Sequence, residues 1–316
     1  MRVLITGASG FVGGWLARAC TQRGDHVLGL SRSGTLDPAS GQGVALDLAD
    51  APGLTRLLAE FEPTVIFHLA ALSHVGRSWQ DPAKTLDNNV NSSVNLLEAV
   101  RVAVPNSRIV WASSGEVYGS DAALPVSEDA PLHPASPYAV SKVAGDLLAG
   151  LYTDAHALNI VRARAFAHGG PGQHQIFLVS NIALQAAQAK RDGVDSLRIT
   201  TGNADTRRDF TDVRDVVRAY MMLTERDVAP GIYNVCSGVS TSTAQRVAAL
   251  AEAIAPIAVE HVVDPALVRA HEVPDVRGSY ERLKAATGWE PRIPVSQTIA
   301  DAIAWWDSEL ANRDRP

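Results

Sequence analysis

Two rhythms of apolar residues alternate through the first half of the chain. Short, nearly unbroken apolar runs occur at positions 2–6, 26–31, 43–47, 64–69, 108–113 and 159–164. They predict strands covered on both faces, because a strand with one wet face would alternate apolar and polar side chains. Between them lie longer stretches with helical spacing, roughly 11–23, 51–61, 85–104 and 137–158. The last opens with Pro137, which suits a first helical turn, where a missing N–H costs nothing. The alternation implies a parallel sheet between layers of helices, so the predicted fold class is α/β, a Rossmann-like doubly wound sheet. After Arg164 the rhythm changes to a glycine-rich loop, a helix near 176–190 and shorter mixed elements, which predict a smaller C-terminal substrate-binding lobe. The stretch 209–235 reads as loop, helix and strand and could return to the first sheet. The expected plan is therefore a Rossmann domain of residues 1–165 plus about 209–235, and a lobe of about 166–208 and 236–316.

The length suits that plan, since 316 residues exceed the roughly 250–300 at which a single core stops growing. Apolar types make up 46% and charged types 20%, with a mean hydropathy of +0.01, which argues against wholesale disorder and an integral membrane protein. Lys and Arg number 28 against 34 Asp and Glu, a net charge of −6 that argues against nucleic acid as a partner. Cys20 and Cys236 are too few and too far apart for a disulfide framework or a thiolate zinc site, and they read as buried small hydrophobes in a reducing cytosol. His168, His174 and His271 have no zinc-ligand spacing, so no metal is expected. The N-terminal apolar run breaks at Thr6-Gly7-Ala8-Ser9-Gly10, unlike a secretory signal. The longest uncharged stretch, 165–189, contains Gly169-Gly170-Pro171-Gly172 and could not cross a bilayer with its backbone satisfied. The expected location is the cytoplasm, with no membrane partner.

The first candidate chemistry is Gly7-Ala8-Ser9-Gly10-Phe11-Val12-Gly13, placed between a predicted strand and a predicted helix. Glycines there allow a tight turn and bring a pyrophosphate close to backbone N–H groups at a helix N-terminus, whose dipole favours anions. The spacing departs from G-x-G-x-x-G, and glycines serving only a turn are the plainer alternative. Where a carboxylate would accept hydrogen bonds from an adenosine ribose at the end of the second strand, this chain has Ser31-Arg32-Ser33. A guanidinium pairs with a 2′-phosphate that a carboxylate would repel, which favours NADP(H) over NAD(H), although a solvated loop arginine would read the same way.

Tyr138 and Lys142 lie four residues apart at the start of a predicted helix, so both project from one face. A lysine ammonium beside a tyrosine favours phenolate and would bring the hydroxyl closer to acid/base work near neutrality; it could also hold ribose hydroxyls. The strand at 108–113 runs into Ser113-Ser114-Gly115-Glu116-Val117-Tyr118-Gly119, placing a hydroxyl and a carboxylate at the carboxyl end of a parallel strand, where open sheets bind ligands. Ser114 could bond a substrate oxygen. Glu116 reads equally as a further acid/base or as the cap of a turn. His68 reads as a packed residue near the cofactor and Trp305-Trp306 as core. The helix at 137–158 is apolar on more than one face, through Val140, Val143, Ala144, Leu147, Leu148 and Leu151, so it needs more than one cover.

The glycine fingerprint, Ser114 and the Tyr138/Lys142 pair together resemble the extended short-chain dehydrogenases/reductases, the NAD-dependent epimerase/dehydratase family, over nearly the whole chain. Within that branch the chain is most similar to bacterial GDP-4-keto-6-deoxy-D-mannose reductases. The likeness runs through Gly29-Leu30-Ser31-Arg32, the Ser113 to Gly119 segment, Ser136-Pro137-Tyr138-Ala139-Val140-Ser141-Lys142, Gly170-Pro171-Gly172-Gln173, Arg208-Asp209-Phe210-Thr211-Asp212-Val213-Arg214-Asp215, Tyr233-Asn234-Val235-Cys236-Ser237-Gly238 and Thr287-Gly288-Trp289-Glu290-Pro291. The resemblance implies NADPH-dependent reduction of a nucleotide-linked 4-keto-6-deoxyhexose, GDP-4-keto-6-deoxy-D-mannose to GDP-D-rhamnose. Tyr138 would be the proton donor, Lys142 its partner and Ser114 the orienter. It adds Asp47, Leu48, Leu69 and Ala70 to the cofactor contacts, and Gln173, Arg208, Arg269 and Glu272 as substrate contacts, the arginines on the diphosphate. It also implies a homodimer through the helices at 85–104 and 137–158. The main alternative is a GDP-mannose 4,6-dehydratase or another sugar-nucleotide epimerase/dehydratase. Dehydratases share the Ser-x-Glu arrangement, but they usually carry Gln-Asp in place of Phe11-Val12 and are longer. A non-catalytic NADP sensor would have no need of Ser114, Tyr138 and Lys142 together. One departure is Ala167, where the family usually has an asparagine, which leaves the sugar open.

Overall fold

Val3, Leu4 and Ile5 have no exposed surface, because β1 (Arg2–Thr6) runs through the middle of a parallel sheet. The computed structural model describes residues 1–120, 122–268 and 273–313. After β1 come α1 (Phe11–Gln22), β2 (His26–Ser31), β3 (Gln42–Ala45), α2 (Ala51–Phe61), β4 (Val65–His68), α3 (Val75–Gln80), α4 (Pro82–Leu86), α5 (Ser92–Ala103), β5 (Arg108–Ser114), α6 (Pro137–His156) and β6 (Asn159–Ala165). The chain crosses to a second group of elements through β7 (Ala167–Gly169), α7 (Leu178–Asp192), β8 (Ser196–Thr201) and β9 (Arg207–Asp212), then returns as α8 (Val213–Met222) and β10 (Gly231–Val235). It ends with β11 (Ser240–Ser242), α9 (Thr243–Ala253), β12 (Ala258–Val263), β13 (Asp275–Val276), α10 (Glu281–Thr287) and α11 (Val295–Arg313).

The large sheet has the order β10-β6-β5-β4-β1-β2-β3, with every neighbouring pair parallel. Strand order reverses direction between β1 and β4, so the loops leaving these strands diverge and open a crevice at their carboxyl ends. Thr6 lies level with Leu30 on one side and His68 on the other, which brings three strand ends to one edge. One face of the sheet is covered by α1 and α8 through Leu16, Ala17, Val216 and Tyr220; the other is covered by α2, α5 and α6 through Leu54, Leu58, Leu97 and Ala149. The second core lies among α7, α9 and α11 with β8, through Ile182, Ile199, Leu250 and Ile303. Trp306 is packed into it and Trp305 is half-buried beside it.

Three details differ from the sequence pattern. The helix expected at 85–104 starts at Pro82 and contains a π turn, Asp87–Asn91, between α4 and α5. Hydrophobic spacing does not record such a change of hydrogen-bond span. The π turn places Asn89 in the interior, where its amide accepts from Leu72 N at 2.8 Å and donates to Ser141 Oγ at 2.8 Å, clamping the loop after β4 to α6. The returning segment begins at Val213 rather than at 209, because β9 pairs with β11, β13 and β7 in a separate small sheet. Leu283 and Trp289 pack into the core shared with α1 and α8, and Trp289 Nε1 donates to Asp215 O at 3.0 Å, so residues near α10 lean on the first domain.

The placement of α6 depends on a buried charge. Ser136 caps the helix, its Oγ accepting from Ala139 N at 3.1 Å, and Pro137 opens it. Two turns later Asp146, with no exposed surface, accepts a forked pair from Arg164 of β6, Nε at 3.1 Å and Nη2 at 2.9 Å, with Arg162 Nη1 at 3.3 Å. Burial pushes the Asp146 carboxyl up, but the bonds and charge of Arg164 outweigh it and hold the pKa below the usual carboxylate range. Arg164 Nη1 also donates to Tyr118 Oη at 3.0 Å, and Tyr118 donates to Asn234 Oδ1 at 2.7 Å. Removing one partner of a buried ion pair strands the other charge. Asp146→Ala is therefore expected to lower the unfolding free energy by about 3–5 kcal/mol in urea denaturation; a loss below about 1 kcal/mol would show that Arg164 finds another acceptor.

Candidate active site

The crevice at the carboxyl ends of the strands is a cleft of about 1160 Å³. Every sequence-predicted site residue within the described residues lines it: Gly7, Gly10, Phe11, Val12, Gly13, Ser31, Arg32, Asp47, Leu48, Leu69, Ala70, Ser114, Glu116, Tyr138, Lys142, Gln173 and Arg208. Arg269 and Glu272 lie outside the described residues.

At the glycine loop the backbone does the work. Gly7 has φ +73°, and a Cβ there would lie 2.9 Å from Ala70 N; a Cβ on Gly13 would lie 2.4 Å from Gly7 O. Only glycines let α1 begin this close to β1. Gly10 is the N-cap of α1 and has no side chain to bond the first-turn amides, which are left as donors at the positive end of the helix. That uncapped end fits a dinucleotide pyrophosphate. Leu69 N donates to Thr6 O at 3.2 Å and Ala70 N to Thr6 Oγ1 at 3.3 Å, which fixes the exit of β4 beside the loop. Ser31 Oγ accepts from Gly34 N at 3.0 Å, shaping the turn that presents Arg32. Arg32 is exposed and has no hydrogen bond or ion pair among the described residues, so its fork is available to an anion. Asp47 Oδ1 caps its own turn through Ala49 N at 2.9 Å, and Leu48 O accepts from Asn95 Nδ2 at 2.8 Å.

Deeper in the cleft, Tyr138 and Lys142 stand one turn apart on α6, with Ser114 at the end of β5. Ser114 Oγ accepts from Glu116 N at 3.2 Å and lies near the Tyr138 hydroxyl. Burial pushes the phenol up to about 12, opposed by Ser114 and reinforced by the charge of Glu116. Lys142 donates to the Ala112 carbonyl, and burial of its ammonium lowers its pKa to about 8, with Asp146 acting in the opposite direction. The expectation that Lys142 draws the phenol below its ordinary value is thus corrected: desolvation dominates and the hydroxyl is a protonated donor at neutral pH. The turn after β5 is capped by Ser114 and not by the Glu116 carboxylate, which lines the cleft. His68 Nδ1 lies 2.9 Å from Thr6 Oγ1, and its ring packs on Trp111; burial, with the charge of Lys142, lowers its pKa to about 3, so it is a neutral packed residue.

At the other end, the carboxylates of the segment from Arg208 to Asp215 are structural. Asp209 accepts from Ser237 N and Oγ at 2.6 Å, Gly238 N at 2.9 Å and Gly278 N at 3.1 Å; Asp212 caps α8 through Arg214 N at 2.8 Å; Asp215 accepts from Arg292 N at 2.7 Å and Ile293 N at 2.9 Å. Arg208 is braced by the carbonyls of Arg207 and Val273, each at 2.7 Å. Gln173 is buried, with its amide nitrogen donating to His168 O at 3.0 Å, so it holds the loop after β7 in place. Tyr220, His168 and Arg246 also line the cleft, and the sequence reading assigned none of them to it. Only Arg246 carries a sequence signal: it shares the apolar face of α9 with Val247 and Leu250, where a charged residue is out of place. Among the described residues no cluster of His, Cys, Asp and Glu could hold a metal ion, and no helix is long and apolar enough to cross a membrane.

Residues 4–302 match the family model described as GDP-mannose 4,6 dehydratase. The chain belongs to this family. Within the dehydratase family and the wider extended short-chain dehydrogenases/reductases, it is similar to GDP-6-deoxy-D-mannose reductase of Pseudomonas aeruginosa, 36% identical over 98% of this chain and 98% of the relative. UDP-glucose 4-epimerase of Mycolicibacterium smegmatis is 34% identical, over 97% of this chain and 98% of the relative. The solved structure of RMD from Pseudomonas aeruginosa complexed with NADPH matches with a TM-score of 0.84 at 34% identity, covering 98% of this chain and 100% of that one.

The buried lysine of this family member has a measurable consequence without any ligand. Its pKa is about 8 in the fold and about 10.4 in an unfolded chain, so between those values the unfolded state holds more protons and stability rises with pH. Below pH 8 the partly buried ammonium costs at most a few kcal/mol, about 1.4 for each pH unit between the two values. Relative to Lys142→Met, the wild type is expected to gain that stability between pH 8 and 10 in urea denaturation; a flat difference would place the ammonium in solvent.

Proposed function

We propose that the protein is an NADPH-dependent reductase of a GDP-linked 4-keto-6-deoxyhexose, converting GDP-4-keto-6-deoxy-D-mannose to GDP-D-rhamnose. The observation that carries this reading is the convergence of Ser114, Tyr138 and Lys142 in the one cleft that also holds the uncapped α1 terminus and Arg208. Similarity to a reductase over the whole length supports it. Bound NADPH would supply the hydride to C4. Ser114 and Tyr138 then hold the keto oxygen, and Tyr138 Oη gives its proton to the developing alkoxide. Lys142 holds the nicotinamide ribose and, as an ammonium, offsets the phenolate left behind. The glycine-loop amides bind the cofactor pyrophosphate, Arg32 its 2′-phosphate, and Arg208, with Arg269 and Glu272, the substrate nucleotide.

The dehydratase reading would give a task to the Glu116 carboxylate, which lines the cleft without capping the turn after β5. A dehydratase needs such a group to remove the C5 proton, whereas a reductase does not. We also infer a cytoplasmic homodimer joined through α5 and α6. Val102, Val140, Leu147 and Leu151 are 62%, 43%, 56% and 59% exposed there, a large apolar surface for a second copy to cover.

Given GDP-4-keto-6-deoxymannose, the protein should consume NADPH stoichiometrically, and given GDP-mannose alone it should form no keto sugar. Tyr138→Phe should lower turnover by ~10²–10⁴-fold with NADPH affinity nearly intact, while Glu116→Gln should retain a substantial fraction of activity. Keto-sugar formation from GDP-mannose without net NADPH change, lost in Glu116→Gln, would establish the dehydratase instead. Arg32→Asp should reverse the preference for NADPH over NADH in cofactor titrations; an unchanged preference would make Arg32 a solvated loop residue.

A further inference from the structure

Three arginines are deeply buried among the described residues: Arg108, Arg164 and Arg246. Arg108 donates to the Leu223 carbonyl from Nε at 3.1 Å and Nη2 at 2.9 Å and to Val228 O at 2.8 Å, and Arg164 forks onto Asp146. Arg246 is different. It is 4% exposed, its Nη2 reaches only Thr243 Oγ1 at 3.3 Å, and its Nε has no hydrogen-bond partner. It belongs to no ion pair among the described residues. The charges acting on it are those of Arg208 and Arg207, which add to burial in pushing its pKa down to about 10, so it remains a cation at neutral pH. Asp209, a carboxylate that lines the cleft, is already engaged by Ser237, Gly238 and Gly278. A buried guanidinium without a counter-charge costs several kcal/mol, and neighbouring arginines increase that cost. A purely structural arginine would be satisfied as Arg108 and Arg164 are.

We propose that Arg246, which lines the cleft, is a contact for the substrate diphosphate, acting beside Arg208 through its guanidinium. The proposal rests on the sugar-nucleotide reading above for the identity of its ligand. A doubly charged, oxygen-rich group suits converging guanidiniums, whereas an uncharged base or sugar would leave the positive charge uncompensated. On this account α9 contributes to the binding site, and the bound nucleotide supplies the counter-ion that Arg246 lacks among the described residues.

The test is calorimetric titration of inorganic pyrophosphate, GDP and UDP into protein saturated with NADP⁺, which keeps the glycine loop occupied. Arg246→Met should weaken all three ligands by a similar factor, on the order of 10- to 100-fold. Arg246→Lys, which keeps the charge and loses the fork, should fall between. Ligand-free Arg246→Met should unfold at the wild-type temperature or above it, since a costly buried charge is gone, while the rise in Tm produced by GDP shrinks. Loss confined to GDP would mean that Arg246 reads the base, and lower ligand-free stability with unchanged binding would mean that it is structural; either overturns the proposal. A wild type that binds none of the three diphosphates overturns it as well. A wild type that binds GDP through Arg246 yet reduces no keto sugar refutes the reductase reading alone.

Discussion

The charge of Asp146, sealed inside the molecule, is the constraint from which the rest of the site follows. It lies on the helix that carries Tyr138 and Lys142, and the Arg164 fork pins that helix to β6, at the edge of the cleft. A fork admits little rotation, because two parallel N–H···O bonds are lost together if the helix turns. Through Tyr118 and Asn234 the same network reaches the turn that follows Ser114 and the last strand of the sheet. The carboxylate also acts on Lys142, where it works against desolvation and leaves the ammonium charged at neutral pH. The position of Tyr138 and the charge of Lys142 thus share one buried interaction.

The proposed reaction needs two diphosphates in one cleft, and the chain meets them by different physics. On the sheet side, neutral amides at an uncapped helix end face the cleft, and Gly7 and Gly13 let the helix start against the strand; no charged side chain has to be buried. On the lobe side Ser242 and Gln245 close the start of α9 with a capping box, while α7 begins at the cleft without a side-chain cap. Arginines from β9 and α9 line the cleft there as well. Dipoles cost little when the site is empty, whereas clustered guanidiniums repel. The empty substrate end therefore carries a strain that the cofactor end lacks, which gives a nucleotide more to stabilise there.

The order of strands and helices was legible because strands buried on both faces leave continuous apolar runs, and the glycine fingerprint was legible because it falls between one such run and a helix. The π turn in the helix from Pro82 was not, since a wider turn shifts hydrogen bonds without disturbing apolar spacing. Strand β9, Arg207–Asp212, is mostly polar and so has the sequence pattern of a loop; its carboxylates and arginines serve neighbouring strands and the cleft. The pair Tyr138 and Lys142 could be found by spacing, but their protonation could not. Desolvation depends on what covers a group, which is a property of the assembled fold. Arg246 shows the same limit: its place on the apolar face of α9 marks it as unusual, but its want of partners among the described residues is visible only in space.

The protonation pattern also suits a step that donates a proton. At neutral pH the buried phenol, with a pKa of about 12, holds its proton, and Lys142, at about 8, holds its charge. A reduction consumes a proton at the keto oxygen, so this is the state from which it starts; an oxidation would need the phenolate first. Once the proton leaves, a phenolate is stranded in a dry site, and the ammonium becomes its counter-charge, which raises the lysine pKa as the tyrosine pKa falls. The two groups then titrate as a pair, and the lysine becomes harder to deprotonate while it is most needed. Tyr138 and Lys142 need to be four residues apart on one rigid helix for this exchange to occur without rearrangement, and the buried Asp146–Arg164 fork keeps that helix still.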